Sequence, residues 1–522
     1  MARAAGVVML LILFSRLLGL VRERAIAQVF GMTWQTDVFR NAFNIPDFMF
    51  FLLVAGGLNA AFIPVFTSYL AKEQEDEAWR VASSFFTVTV SLLVLFAALG
   101  AVFAPQLTVL VGYGFVGEQR ELLIRLMRIL FVAVFFTALA GLGMGVHRSY
   151  KSFTAPMVGP IAYNLAIIAG TYALARWLGV FAMAIGTVVG AIANFLIQLP
   201  FFLKKSMGRF HLRFDLSHPG IRQIRTLMGP SIIALSVFQL SFTISANLAS
   251  GLGEGSPSAL RIANQLVQLP LGIFAMGMGT VLLPTLSELA AKREWPRFRS
   301  TFSVGIRTVL FVTIPAAFGL AVLREPIIRL LFEVGQFTSN DTAMAGTALL
   351  YYSIGLFAQA ACQILMQVYF SLQDTRTLLK VSFVAIAANT GLALLLLWLT
   401  DLNHGALALA WSLTVILNMI LYLLVLRKHI GHFDGKRILR SGILAVIGSA
   451  VMACAAYYTA TLVGEWVGLS TSAGRLLQVI TGVLAGVLVY GGFALLCRME
   501  EVRFVFDMVR RRRPHEAQLS DA

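Results

Sequence analysis

Arg16, Arg22, Arg24 and Arg40, with Glu23, Asp37 and Asp47 among them, fall inside or at the edge of two apolar runs near the start of the chain. A guanidinium is planar, permanently charged and grips phosphate oxygens two at a time. Several arginines set deep among few carboxylates therefore suit an anionic, phosphate-bearing ligand. An ionisable group in hydrocarbon costs at least about 2.5–3.5 kcal/mol on insertion scales, which makes each one a candidate for function. Arg16 lies about 17 Å along its helix at 1.5 Å per residue, close to mid-bilayer. Arg22, Glu23 and Arg24 sit nearer the helix end, where snorkelling to water competes with a functional role. Asp37 has two readings, one as the neutralising partner of an arginine and one as a direct participant.

A second group lies further on. Arg261, Asn264, Gln265 and Gln268 follow i, i+3, i+4, i+7 spacing and share one face of an otherwise apolar helix. That face either lines a polar cavity or hydrogen-bonds to a neighbouring helix. The sequence shows no constellation for catalysis. Cys362, Cys454 and Cys497 are widely separated within apolar segments and read as small buried hydrophobes. His429 and His432 share a basic loop without a third ligand, so no metal is expected. There is no nucleotide-binding loop or nucleophile motif. A transporter without a cofactor is expected, not an enzyme.

These residues need a frame that lipid tolerates. The 522-residue chain is 58% hydrophobic and 13% charged, against about 45–50% and about 25% in soluble domains. An all-α integral membrane protein is the expectation. Runs that reach the roughly 20 residues needed to span hydrocarbon lie near 4–27, 36–66, 81–104, 126–146, 156–175, 179–203 and 227–252. Others lie near 259–286, 302–323, 343–371, 379–400, 404–426, 442–463 and 474–497, giving 14 candidate helices. An uncleaved first helix is expected, because Arg16 interrupts its apolar run and no small-residue cleavage site closes it.

The net charge of +16 is explained by loop asymmetry, without nucleic acid. Alternate loops carry Lys72, Arg80, Arg148, Lys151, Lys204, Lys205, Arg209 and Arg213, and later Lys292, Arg293, Arg376, Lys380, Arg427 and Lys428. The tail adds Arg498, Arg503 and Arg510 to Arg513, while the opposite loops hold few cations, chiefly Arg22, Arg24, Arg120, Arg176, Arg324 and Arg329. The positive-inside rule then places both termini in the cytoplasm, at the bacterial inner membrane.

Pro64 before Ala71-Lys72 is matched 220 residues later by Pro284 before Ala291-Lys292. Gly112-Tyr113-Gly114-Phe115 after Pro105 is matched by Gly335-Gln336-Phe337 after Pro326, and Met144-Gly145-Val146 by Met366-Gln367-Val368. The expectation is two parallel six-helix repeats, an architecture that places a transport site between halves. The lobes are assigned to residues 1–210 and 211–435, followed by two extra helices over 436–500 and a basic cytoplasmic tail over 501–522.

The opening Phe14-Ser15-Arg16-Leu17-Leu18-Gly19-Leu20-Val21-Arg22-Glu23, then Phe30-Gly31, Thr36-Asp37 and Pro46, resembles that of the MurJ/MviN lipid II flippases. Gln268-Leu269-Pro270-Leu271-Gly272, Gly279-Thr280-Val281-Leu282-Leu283-Pro284, Gly335-Gln336-Phe337-Thr338 and Gln373-Asp374-Thr375-Arg376-Thr377 extend the resemblance in matching order. The resemblance implies a fold of the multidrug/oligosaccharidyl-lipid/polysaccharide exporter type, with the 436–500 helices as a groove for a polyprenyl tail. The implied cargo is lipid II, carried to the outer leaflet by alternating access, with membrane lipids and cell-wall synthesis proteins as surroundings. Arg16, Arg22 and Asp37 fall on positions the family uses. The chain departs from the pattern at Phe51 and Gln265, where the family places arginines, at Asn264 or Gln268, where it often places an acid, and at Leu378, where it has proline. Arg261, one turn before Gln265, is the expected substitute cation. The alternatives are a flippase for another polyprenyl-diphosphate glycan, an ion-coupled multidrug exporter of the same superfamily, and a non-transporting scaffold in a cell-wall complex.

Overall fold

We describe a computed structural model of the chain, covering residues 2–55, 58–152, 154–431 and 434–502. His432, Arg503 and the Arg510–Arg513 run lie outside the described residues. The described chain is helical, with no strand among those residues. In lipid every backbone N–H and C=O must be satisfied within the protein, and a helix does this locally.

Two compact units divide the chain, residues 1–259 with 332–341, and residues 260–331 with 342–522. The first holds α1 (Ala2–Phe30), α2 (Trp34–Ala42), α3 (Asn44–Phe50), α4 (Ile63–Ala71), α5 (Glu75–Val102) and α6 (Ala104–Val111). It continues with α7 (Glu118–Ser149), α8 (Thr154–Leu178), α9 (Phe181–Ser206) and α10 (Pro219–Ser250). Then come α11 (Ser256–Pro270), α12 (Met276–Ala291), α13 (Trp295–Val322), α14 (Arg324–Phe332) and α15 (Ser339–Ser371). The last four are α16 (Thr375–Leu399), α17 (His404–Ile430), α18 (Gly435–Val467) and α19 (Ser472–Leu496).

Ten of these, α5, α7, α8, α9, α13 and α15 to α19, are individually long and apolar enough to cross a membrane. The remaining four expected spans fall on α1, on the stretch from α2 to α4, on α10, and on α11 with α12. The 36–66 run is not one regular α-helix. Pro46 lacks the N–H that would extend the ladder, and π-helical turns occupy Phe51–Ala55 and Leu58–Phe62. A third π-helical turn, Leu271–Ala275, separates α11 from α12 directly after Pro270. Such widened turns insert a residue into the ladder and recur at functional sites.

Local signals place the helix ends. Glu75, Asp76 and Glu77 open α5, and Arg427, Lys428 and His429 close α17, each sign complementing the helix dipole. Asp374 caps α16 by accepting from Thr377 N at 3.1 Å. Thr471 caps α19 by accepting from Gly474 N at 3.1 Å.

Inside the first unit, Phe62 stacks on Phe85 at 5.0 Å between ring centroids, in a core with Phe66, Trp79 and Phe86. A second core buries Val38, Phe39 and Ala42 of α2 against Leu123, Met127 and Leu130 of α7. That packing fixes the rotation of α2, so Asp37, Arg40 and Asn41 are held where they can meet other helices. In the second unit, α19 buries Gly474, Gln478, Gly482, Gly486, Tyr490 and Ala494 at i, i+4 spacing. Small residues in that row let α18 and α19 approach closely, as helices do where no hydrophobic driving force brings them together.

Candidate functional site

The charged residues of α1 and α2 form one buried network in the first unit. Glu23 accepts from Arg22 Nη2 at 2.8 Å and pairs with Arg40 Nη2 at 3.0 Å through its other oxygen. The Glu23 and Arg40 side chains are only 4% and 6% exposed, whereas Arg22 keeps 19%. Arg22 Nη1 also donates to Asn164 Oδ1 of α8 at 3.1 Å. Asn164 is in turn held by its own amide, which donates to the Pro160 carbonyl at 3.0 Å. Two guanidiniums share the Glu23 carboxylate, and Arg22 is the more exposed of the two. Arg16 is half-buried one turn and a half earlier on α1.

Asp37 lies in the field of Arg40 and spends its hydrogen bonds on another helix. Its carboxylate accepts from the backbone N–H of Gly255 at 2.6 Å and of Ser258 at 3.0 Å. It thus caps the N-terminus of α11, where unsatisfied N–H groups and the helix dipole favour a negative charge. The same surface is reinforced by Trp34 N donating to Glu254 at 2.8 Å and by Asn41 donating to the carbonyls of Val111 at 2.8 Å and Ala246 at 3.1 Å. Glu23 is the carboxylate in ion-pair contact with both Arg22 and Arg40.

On α11 the polar and apolar residues differ in exposure. Ile262, Ala263, Leu266 and Val267 are buried, while Arg261 is exposed and Asn264, Gln265 and Gln268 are half-buried. Arg261 and Gln265 lie in the second unit and Arg22 in the first, so the two groups are separate parts. Phe51, at a departure position, lies in the first π-helical turn.

Three features escaped sequence reasoning. Asn164 is a lone amide in an apolar run. The Gly255–Ser258 backbone carries no side-chain signal for what it binds. The third is Arg307 of α13, which is buried and bonds to Glu501 at 2.6 Å and Glu500 at 2.8 Å, with Ser441 of α18 donating to Glu501 at 2.8 Å. An arginine within the 302–323 run met the same criterion that singled out Arg16. Its role is to tie the chain after α19 to α13 and α18.

The sequence over residues 26–475 matches the family described as lipid II flippase MurJ. The chain belongs to the lipid II flippase MurJ family. It is 31% identical over 500 residues to the probable lipid II flippase MurJ of Vibrio cholerae, covering 93% of this chain and 94% of that one. It is 30% identical over 465 residues to the lipid II flippase MurJ of Burkholderia cenocepacia, covering 88% and 89%. A solved lipid II flippase MurJ in an inward closed conformation superposes with a TM-score of 0.78 at 24% identity, over 94% of this chain and 99% of that one. An inward-facing multidrug resistance transporter of the MATE family superposes at 0.66 with 15% identity, over 80% of this chain and 94% of that one. The fold is therefore that of the solved MurJ structure, and it is shared with the MATE transporter. Membership places this chain among membrane transporters and not among enzymes.

Proposed function

We propose that this protein carries lipid II, an undecaprenyl-diphosphate-linked peptidoglycan precursor, from the inner to the outer leaflet of the bacterial cytoplasmic membrane by alternating access. The observation that carries the reading is the Arg22 group. Glu23 and Asn164 orient Arg22, and its partly exposed guanidinium suits a diphosphate. A guanidinium held in place by two partners loses less freedom on gripping an anion than a loose one. The names of the Vibrio and Burkholderia relatives point to the same cargo.

Arg16, Arg22, Asp37, Arg40, Arg261, Asn264, Gln265 and Gln268 make up the proposed transport set. Arg22 and Arg261 are the cations that meet the cargo. Glu23 and Arg40 position Arg22, and Asp37 positions α11. Fourteen spans with both termini cytoplasmic, lobes over 1–210 and 211–435, and a tail-binding pair over 436–500 complete the architecture. The parallel repeat is supported by the π-helical turns at Phe51–Ala55 and Leu271–Ala275, which begin 220 residues apart. That offset is the one already separating Pro64 from Pro284.

The test is expression in bacteria depleted of their own lipid II flippase, with lipid II assayed on the outer leaflet. Wild type restores exposure, and Arg22→Ala at matched membrane level does not. A well-expressed wild type that restores nothing refutes lipid II as cargo and moves the assignment to another polyprenyl-diphosphate glycan.

A further inference from the structure

Two glycine contacts at one end of the first unit repeat each other. Gly114 lies in the turn between α6 and α7, pressed against the last turn of α10. A Cβ on Gly114 would overlap the Ser250 carbonyl oxygen and lie 2.5 Å from the Gly251 Cα. Gly335 lies between α14 and α15, pressed against the last turn of α1, where a Cβ would overlap the Gln28 carbonyl oxygen. The helix-end partners are tight in the same way. A Cβ on Gly251 would overlap the Tyr113 phenol oxygen, and one on Gly31 would lie 2.7 Å from the Gln336 carbonyl oxygen.

Each contact is also hydrogen-bonded through the turn backbone. Tyr113 N donates to Asn247 Oδ1 at 2.9 Å and Gly114 N to Ser250 Oγ at 3.2 Å. Gln336 N donates to the Gln28 carbonyl at 3.0 Å. The turn glycines Gly114 and Gly335 are 221 residues apart, and the helix-end glycines Gly31 and Gly251 are 220 apart. The internal repeat therefore places one contact on α1 and its counterpart on α10.

We propose that Gly114 and Gly335 are paired latches that hold this end of the first unit closed and part together when the transporter opens to the outside. Backbone laid on backbone suits such a role. A gap of 0.5–1 Å forfeits a quarter to a half of the dispersion well, and only a few hydrogen bonds must be exchanged for water. At the first contact only the side chains of Tyr113, Asn247 and Ser250 have to let go. The same end carries the Asp37 cap on α11 and the Asn41 bridge between α6 and α10, so parting the latches frees a surface already built from exchangeable bonds. The inference rests on the transport reading for its purpose and on the paired contacts for its geometry.

The experiment uses full-length protein with Cys362, Cys454 and Cys497 replaced, in nanodiscs of bacterial phospholipid without any lipid-linked glycan. Spin labels at Val116→Cys and Leu252→Cys report the first latch, and labels at Ser339→Cys and Gln35→Cys the second. The wild type is expected to show mainly one short separation for each pair. Gly114→Ala, which carries no left-handed strain, raises the long-separation fraction at least fivefold at both pairs. Gly117→Ala is the control, because Gly117 has φ +55° in the same turn with open space around it, and it leaves both distributions unchanged. Identical distributions for Gly114→Ala and wild type overturn the latch, and a shift at the first pair alone overturns the pairing.

If Gly114→Ala does not fold, Tyr113→Cys with Asn247→Cys is oxidised across the same contact. Outward exposure of lipid II should stop and return on reduction, while unchanged exposure in the cross-linked protein overturns the proposal. The distance measurement contains no cargo, so its failure is distinguishable from failure of the lipid II assignment.

Discussion

Glu23 is the residue whose removal tests the site most directly. Its carboxylate is 4% exposed and satisfies Arg22 at 2.8 Å and Arg40 at 3.0 Å. Glu23→Gln keeps the shape and one acceptor but deletes the carboxylate that Arg22 shares with Arg40, which is 6% exposed. Removing one partner of a buried pair costs about 3–5 kcal/mol, because the remaining charge stays desolvated. The retained amide and the 19% exposure of Arg22 favour the low end, about 3 kcal/mol. Adding Arg40→Gln removes the stranded charge, so the double variant should recover to within about 1 kcal/mol of wild type. Stability is read as unfolding of detergent-purified protein, and outer-leaflet lipid II is read alongside. The double variant should be stable yet impaired in transport, since Arg22 has lost the partner that aims it. If the costs of the single variants simply add, Glu23 does not hold the two arginines as a unit and the account of the site fails.

Asp37→Ala should cost about 3 kcal/mol in the same unfolding assay and Asp37→Asn about half, since hydrogen bonds to a charged acceptor are worth about 1.5–3 kcal/mol each. Equal costs would show that the carboxylate is not the cap of α11. Arg261→Ala should reduce lipid II exposure at least tenfold at unchanged stability, because its exposed side chain supports no packing. Intact transport in Arg261→Ala, beside a dead Arg22→Ala, would remove it from the cargo path. Glu500 lies beyond α19, and the hydrogen bond and charge of Arg307 hold it below the ordinary carboxylate range. A depressed folded value stabilises at pH above the unfolded value of about 4.3 and is lost as pH falls through the folded one. Melts between pH 6 and pH 3 should therefore show Glu500→Gln losing less stability on acidification than wild type, and parallel curves would contradict this.

The frame of the protein was legible because lipid imposes it. Hydrocarbon demands long apolar runs with internally satisfied backbone, and that demand is written residue by residue. Ten of the expected spans return as single long helices. The deep arginines were legible for the same reason, as was the Arg261, Asn264, Gln265 and Gln268 face, because helical spacing alone decides which residues share a side. Motif order carried the family. Arg307 is equally visible by its placement within an apolar run.

Partner choice was not legible. Glu23 and Asp37 are both acids beside arginines in sequence, and nothing local says that one clamps two guanidiniums while the other caps α11. That depends on the rotation of α2, which the burial of Val38, Phe39 and Ala42 against α7 decides. The break of the 36–66 run into short helices and π-helical turns is likewise a compromise with neighbouring packing. The sequence by itself determined the membrane class and the family, because composition, period and motif order act along the chain. Only the tertiary structure decided which carboxylate meets which cation and which glycines touch, because those bonds join residues that are remote in sequence and depend on how whole helices are turned.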